Sequence, residues 1–249
     1  MSISGISNYT IPQIQALSTR DIRSLDATEV ASLSSDQLNA MYAEQIAAIG
    51  PDEFKSIGAS TVAALSVDQI FNLITDQIAA MGSGQVGALT PAQIQALETS
   101  DIEVLTSAQV NGWSSAQVAA LNTEHMSHLD TQVIASLNSS QIRGIEGEDL
   151  AQLTTTQVAA LNSSQLNVMT SGQINSLTAA EVAALNSDQW KGVSTQISAL
   201  SNEAIAGIAS NQASMLSSGQ IVALTEDQIS HLTTETVQAL SSAQVQKIE

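Results

Sequence analysis

The sequence predicts an all-α solenoid, a superhelix of about thirty very short capped helices, and three observations carry that expectation. First, an eight-residue pattern recurs from Thr10 to Ile248: Ser/Thr, two variable residues, Gln, Ile/Val, one variable residue, a small residue and Leu, seen most clearly in LTPAQIQAL from Leu89 to Leu97. Second, a Ser/Thr followed three residues later by Gln has the spacing of a capping box, in which the hydroxyl accepts from the N3 amide and the Gln reaches back to the N-cap amide. Third, Pro51 and Pro91 fall at the first helical position that such a box defines, where a missing N–H costs nothing, and Pro12 lies one residue later in the same turn.

The chain opens with a short Ser-rich leader, residues 1–9, and continues from 10 to 249 as a single repeat solenoid. With each copy numbered from its Ser/Thr as slot 1, there are thirty copies without a gap, and Ser194 to Leu200 is one residue short. Slot 8 is apolar throughout, from Leu17, Leu25 and Leu33 to Ile248. Slot 5 is apolar too, from Ile14 and Ile22 to Val245, with only Ala213 small. These two columns form the expected core. Slot 7 is Ala, Ser or Gly in most copies, which lets neighbouring backbones approach, and slots 2, 3 and 6 vary and should face solvent. The register is disturbed around residues 190–216, where the short repeat, Trp190, Ala204 and the capless Ala209 mark a possible joint. At the end of the chain, an uncovered apolar surface suggests end-to-end self-association.

Two other folds compete with this one. One uninterrupted helix turns about 100° per residue, so an eight-residue stripe would precess by about 80° per repeat and form no seam. A β-solenoid is the alternative fold, but Ala, Gln, Leu and Glu favour helix and the Gly-rich turns of β-coils are missing. Helices of one and a half to two turns are unstable alone because nucleation is costly, so each must be held by packing against its neighbours.

Composition narrows the function. A net charge of -18, with 24 acidic residues against six basic ones, would repel a nucleic-acid backbone, so no direct nucleic-acid binding is expected. Cysteine is absent, which removes disulfides, thiolate metal sites and cysteine nucleophiles. No run of apolar residues is long enough for a membrane span, and MSISGISNYT lacks the basic and apolar regions of a cleaved secretory signal.

Reactive constellations are weak. His125 and His128 stand three apart beside Glu124, the spacing of paired metal ligands, but no third ligand is placed by the sequence, and their slots, like that of His231, point to drift within the repeat. The carboxylates Asp21, Glu29, Glu53, Asp101, Asp149 and Glu181 all occupy slot 4, where an acid at N3 also suits the helix dipole. The acidic run Glu146 to Asp149 lacks the ligand spacing of a calcium loop. No phosphate-binding glycine loop is present. No catalytic, cofactor-binding or metal residues are assigned, and no cofactor is expected.

Leu89, Thr90, Pro91, Gln93 and Ile94 resemble the opening helix of the DNA-reading repeats of transcription-activator-like effectors. The second helix, the base-reading loop and the longer period of that family are missing here, so DNA recognition does not carry over. Nearly all of the chain resembles the L-[ST]-x-x-Q-[IV]-x-A-L octapeptide arrays of large bacterial proteins, many of them exported or surface-associated. That resemblance implies a bacterial, non-enzymatic spacer or adhesion module with a protein or glycan partner, secreted or held at the cell surface by a route without a cleaved N-terminal signal. The alternative is an intracellular acidic rod in the cytoplasm, acting as a DNA mimic or protein scaffold.

Overall fold

The computed structural model describes residues 5–248, except for the side chain of Thr195. Among the described residues there is no strand, and every repeat forms one helix, so the β-solenoid is overturned. The helices are four to seven residues long: Thr19–Ile22 has four, Pro91–Gln95 five and Ser187–Val193 seven.

The junctions explain how so short a period folds with so little glycine. Slot 1 is extended, as at Ser34 (φ -74°, ψ 160°), and accepts at its hydroxyl from the slot 4 amide of Gln37. Slot 8 ahead of it is extended as well, as at Leu89 (φ -60°, ψ 135°), after its amide has closed the helix on the slot 5 carbonyl of Val86 at 3.3 Å. Two consecutive extended residues turn the chain from one helix into the next, and both conformations suit any L-residue. Among the described residues only Gly5 and Ser194 have a positive φ.

The chain divides into two compact units, Met1–Val133 and Ile134–Glu249, and each is built by the same rule. In the first unit, the Ile11–Gln15 helix packs on Ser35–Asn39, Thr19–Ile22 on Ala43–Ala47, and Ala27–Ala31 on Pro51–Phe54. In the second unit, Ser139–Gly144 packs on Ser163–Val168 and Gly147–Leu150 on Ser171–Asn175. Within each unit a helix therefore rests on the third one before it. Slots 5 and 8 fill the interior in both units, as Val86, Leu89, Ile94 and Leu97 do in one and Val158, Leu161, Ile174 and Leu177 in the other.

Close backbone approach falls at slot 7, as the small residues there imply. A Cβ on Gly192 would lie 2.3 Å from the Ser163 carbonyl oxygen, and one on Gly207 would lie 2.3 Å from that of Ala179. In the first unit, the slot 7 hydroxyl of Ser56 uses the same proximity to donate to the Ala27 carbonyl at 2.8 Å.

The short repeat is absorbed locally. Its residues Ser194–Ala199 form a 3-10 helix, entered through Ser194 at φ 46° after the longest α-helix of the chain. A 3-10 helix rises more per residue than an α-helix, so seven residues span a path that eight cover elsewhere. The leader also contributes to the packing. Ile6 is buried, and the carbonyls of Ile6, Ser7 and Tyr9 accept from the Gln37 side chain.

Candidate functional site

The residues with chemical potential are concentrated at slot 4, and the structure gives that slot a role beyond capping. Gln77 is fully buried. Its Oε1 accepts from the Ile74 amide at 3.1 Å, the capping half of its role, while its Nε2 donates to the carbonyls of Ile46 at 2.9 Å and Ile49 at 2.7 Å, one turn earlier. The pattern repeats with fixed offsets of 31 and 28 residues. Gln45 reaches Ile14 and Leu17, Gln69 reaches Leu38 and Met41, Gln165 reaches Ile134 and Leu137, and Gln189 reaches Val158 and Leu161.

Those two acceptors are the slot 5 and slot 8 carbonyls of a helix end, groups that a helix cannot satisfy for itself. One glutamine thus completes the N-terminus of its own helix and the C-terminus of another. Across the deletion the offsets shorten by one, with Gln212 on Val182 and Leu185, and they return to 31 and 28 at Gln228.

Residues that replace glutamine show what the position requires. His125 is an effective substitute: its Nδ1 faces the Asn122 amide at 3.4 Å and its Nε2 lies 2.9 Å from the Leu97 carbonyl. That pattern suits the neutral ring protonated at Nε2, and burial lowers its pKa against the opposing pull of the Leu97 carbonyl. Thr236 keeps one contact, donating to the Ile208 carbonyl at 2.6 Å.

Carboxylates can cap but have no N–H to donate. Asp101 accepts from the Glu98 amide at 3.1 Å and from the Thr75 hydroxyl at 2.9 Å, and burial still raises its pKa. Glu181 accepts from the Thr178 amide at 2.6 Å through Oε2. Its Oε1 is buried with no hydrogen-bond partner, and desolvation raises the pKa of the group. Asp149 is pushed up to about 6, first by burial and then by the charges of Glu146 and Glu148. Asp21, near the first turn and exposed to water, moves the other way because the Ser18 hydroxyl and amide donate to it.

The two histidines that stand three apart in sequence diverge. His125 points inward, whereas His128 is partly exposed, with its Nδ1 2.6 Å from Glu103. His231 bonds within its own helix, its Nδ1 2.8 Å from the Asp227 carbonyl. No group of three or more His, Asp or Glu side chains placed to hold a metal occurs among the described residues. Among the described residues no helix is long and apolar enough to cross a membrane.

Very short helices, most of them capped at their starts, packed on the third before and bonded across turns by glutamine, define a helical repeat protein. The chain belongs to the ALTTAQ repeat family, whose model matches residues 14–51, 62–99, 94–131 and 142–179, more than half of its length. No curated protein matches it.

The sequence reading saw slot 4 only as a cap and missed its bonds to the preceding turn. The signal was present. A capping box accepts Glu as readily as Gln, yet slot 4 is predominantly Gln in a chain that otherwise favours acids over bases by 24 to six. Such a preference for the amide over the acid implies that the N–H donors are used.

Proposed function

We propose that the protein is a non-enzymatic structural and interaction scaffold, secreted or displayed at a bacterial surface as a spacer or adhesion module. The observation that carries this reading is that its buried polar groups serve the backbone. Slot 4 glutamines, His125 and Thr236 bond to helix ends. The resemblance to bacterial surface arrays supports the location.

End-to-end self-association belongs to the same proposal. A molar mass independent of concentration in light scattering would count against that part.

The test of location is to tag the protein at its C-terminus in its host and quantify it in cytosol, surface and medium fractions. Recovery from the surface or medium is the expected result. Confinement to the cytosol would overturn the location and favour the intracellular scaffold.

A further inference from the structure

Large apolar side chains exposed on this protein are few, and their placement is uneven. Val237 and Val245 are slot 5 residues at the last helices, Val222 lies on the Ser218–Ala223 helix, and Ile11 lies on the first. Four others are neighbours. Val67 and Phe71 stand four apart on the Val67–Phe71 helix and so share one of its faces. That helix packs on Ala43–Ala47, whose N-cap is Tyr42. Ile74 opens the next helix, and it lines a shallow groove of about 320 Å³ together with Ala43, Glu44, Ala47 and Asn72. Tyr42 and Phe71 are 56% and 51% exposed.

Folding does not account for these side chains. Tyr42 and Ile74 occupy slot 1, where Ser and Thr supply the cap, and neither side chain makes a cap hydrogen bond. Each such loss weakens the start of a helix, and the bulk that replaces the hydroxyl is turned to solvent. A local rule broken twice within one patch, with no return in packing, marks a surface shaped by something outside the fold.

The rim of the patch is acidic. Slot 3 is an acid in five of six successive repeats, at Asp36, Glu44, Asp52, Asp68 and Asp76 with Ser60 the exception, whereas the next four slot 3 residues are Gly84, Ala92, Ser100 and Ala108. Glu44, Asp68 and Asp76 are exposed, and none of the ion pairs among the described residues includes them. Arg23 is the cation in the lining of the groove.

We propose that the face formed by Tyr42, Val67, Phe71 and Ile74, ringed by Glu44, Asp68 and Asp76, docks a short protein segment whose apolar anchors are flanked by Lys or Arg. The aromatic pair supplies anchoring area of the kind that dominates such contacts, and the acids set partner choice and association rate. A second copy of the chain is a poor occupant because it carries the same charge of -18, and an anionic membrane is repelled by the same rim. The proposal rests on the scaffold reading and names the partner that one part of the scaffold accepts.

The test is fluorescence anisotropy of the full chain with three labelled helical peptides, one of Leu and Lys, one of Leu and Glu and one of Lys and Ser, together with phosphatidylcholine vesicles. The Leu/Lys peptide should bind about tenfold more tightly than the other two, and Y42S/F71S should lose about tenfold. Y42S restores a capping hydroxyl and F71S lies on the surface, so circular dichroism should show the fold unchanged. E44Q/D68N should weaken binding and flatten its salt dependence, whereas D188N, in the other unit, should do neither. Equal binding of the Lys/Ser peptide, insensitivity to Y42S/F71S, or preferential uptake by the vesicles would overturn the proposal. These outcomes are independent of fractionation, so a failed docking site leaves the scaffold reading to be judged on location alone.

Discussion

Two adjacent helices in the second unit, one with Gln and the other with Glu at slot 4, show what holds the stack together. The Ser171–Asn175 helix is capped by Thr170, and its slot 4 residue Gln173 reaches back to the carbonyls of Ile142 at 2.6 Å and Ile145 at 2.7 Å. The Ala179–Ala184 helix is capped by Thr178 in the same way, but Glu181 replaces the glutamine. The cap survives, since a carboxylate oxygen accepts from the Thr178 amide as well as an amide oxygen does. The bond to the turn before does not, and Oε1 is left buried without a partner. Capping and stacking are thus separate duties, and of these two side chains the amide performs both while the carboxylate performs one.

Substitutions can break or sharpen that comparison. The apolar columns are common to both kinds of repeat, so Leu121→Ala and Leu153→Ala, both at buried slot 8 positions, should each destabilise by roughly 2 to 5 kcal/mol. An unchanged unfolding midpoint for either would remove slot 8 from the core. Gln77→Leu keeps the volume but leaves the Ile74 amide without its acceptor and the Ile46 and Ile49 carbonyls without its donor. It should cost about 3 kcal/mol in denaturant titration, and a neutral result would deny the bonds between turns any energetic weight.

The converse exchange, Glu181→Gln, should stabilise by about 1 to 2 kcal/mol at neutral pH by supplying the missing donor. Its pH dependence follows from the direction of the shift. Burial raises the folded pKa of Glu181 above the ordinary 4.5, so the folded state keeps the proton longer than the unfolded state does, and stability falls as pH rises from 4.5 through the folded pKa. Asp149, raised from 3.8 to about 6, adds a loss of the same sign over that window. Glu181→Gln should flatten the profile, and Asp149→Asn should flatten it further. A profile identical to that of the parent would contradict the role given to these acids. The smallest effect expected is that of Thr154→Ala, about 1 kcal/mol through the lost bond to the Gln157 amide. No change in melting temperature would undermine the capped-helix account.

The parts of the fold that sequence made legible are those governed by local chemistry. The Thr90–Gln93 box, Pro91 at the first helical position and the Ile94 and Leu97 columns each imply their own conformation, and the structure has all of them. The stacking of each helix on the third before it was not legible, because eight residues repeat identically whatever the number per turn. That arrangement shows only in the helix contacts, and the glutamine bonds at offsets of 31 and 28 reach one helix further back, to the fourth. The same gap concealed the second duty of glutamine, whose partners lie far away in sequence, and left Glu181 looking like an ordinary cap. The face at Tyr42 and Ile74 was legible only in part: the missing cap at Ile74 stands out in the repeat, but the proximity of Tyr42 to Val67 and Phe71 comes from stacking.

Side-chain amide exchange, followed by NMR, tests the central claim most directly. The Nε2 protons of Gln77 donate to two buried carbonyls, whereas Gln13, on the first helix, is exposed. The account predicts slow exchange for Gln77, with nuclear Overhauser contacts to Ile46 and Ile49, and exchange near the free rate for Gln13. Rapid exchange at both would contradict the claim that glutamines bind one turn to the next.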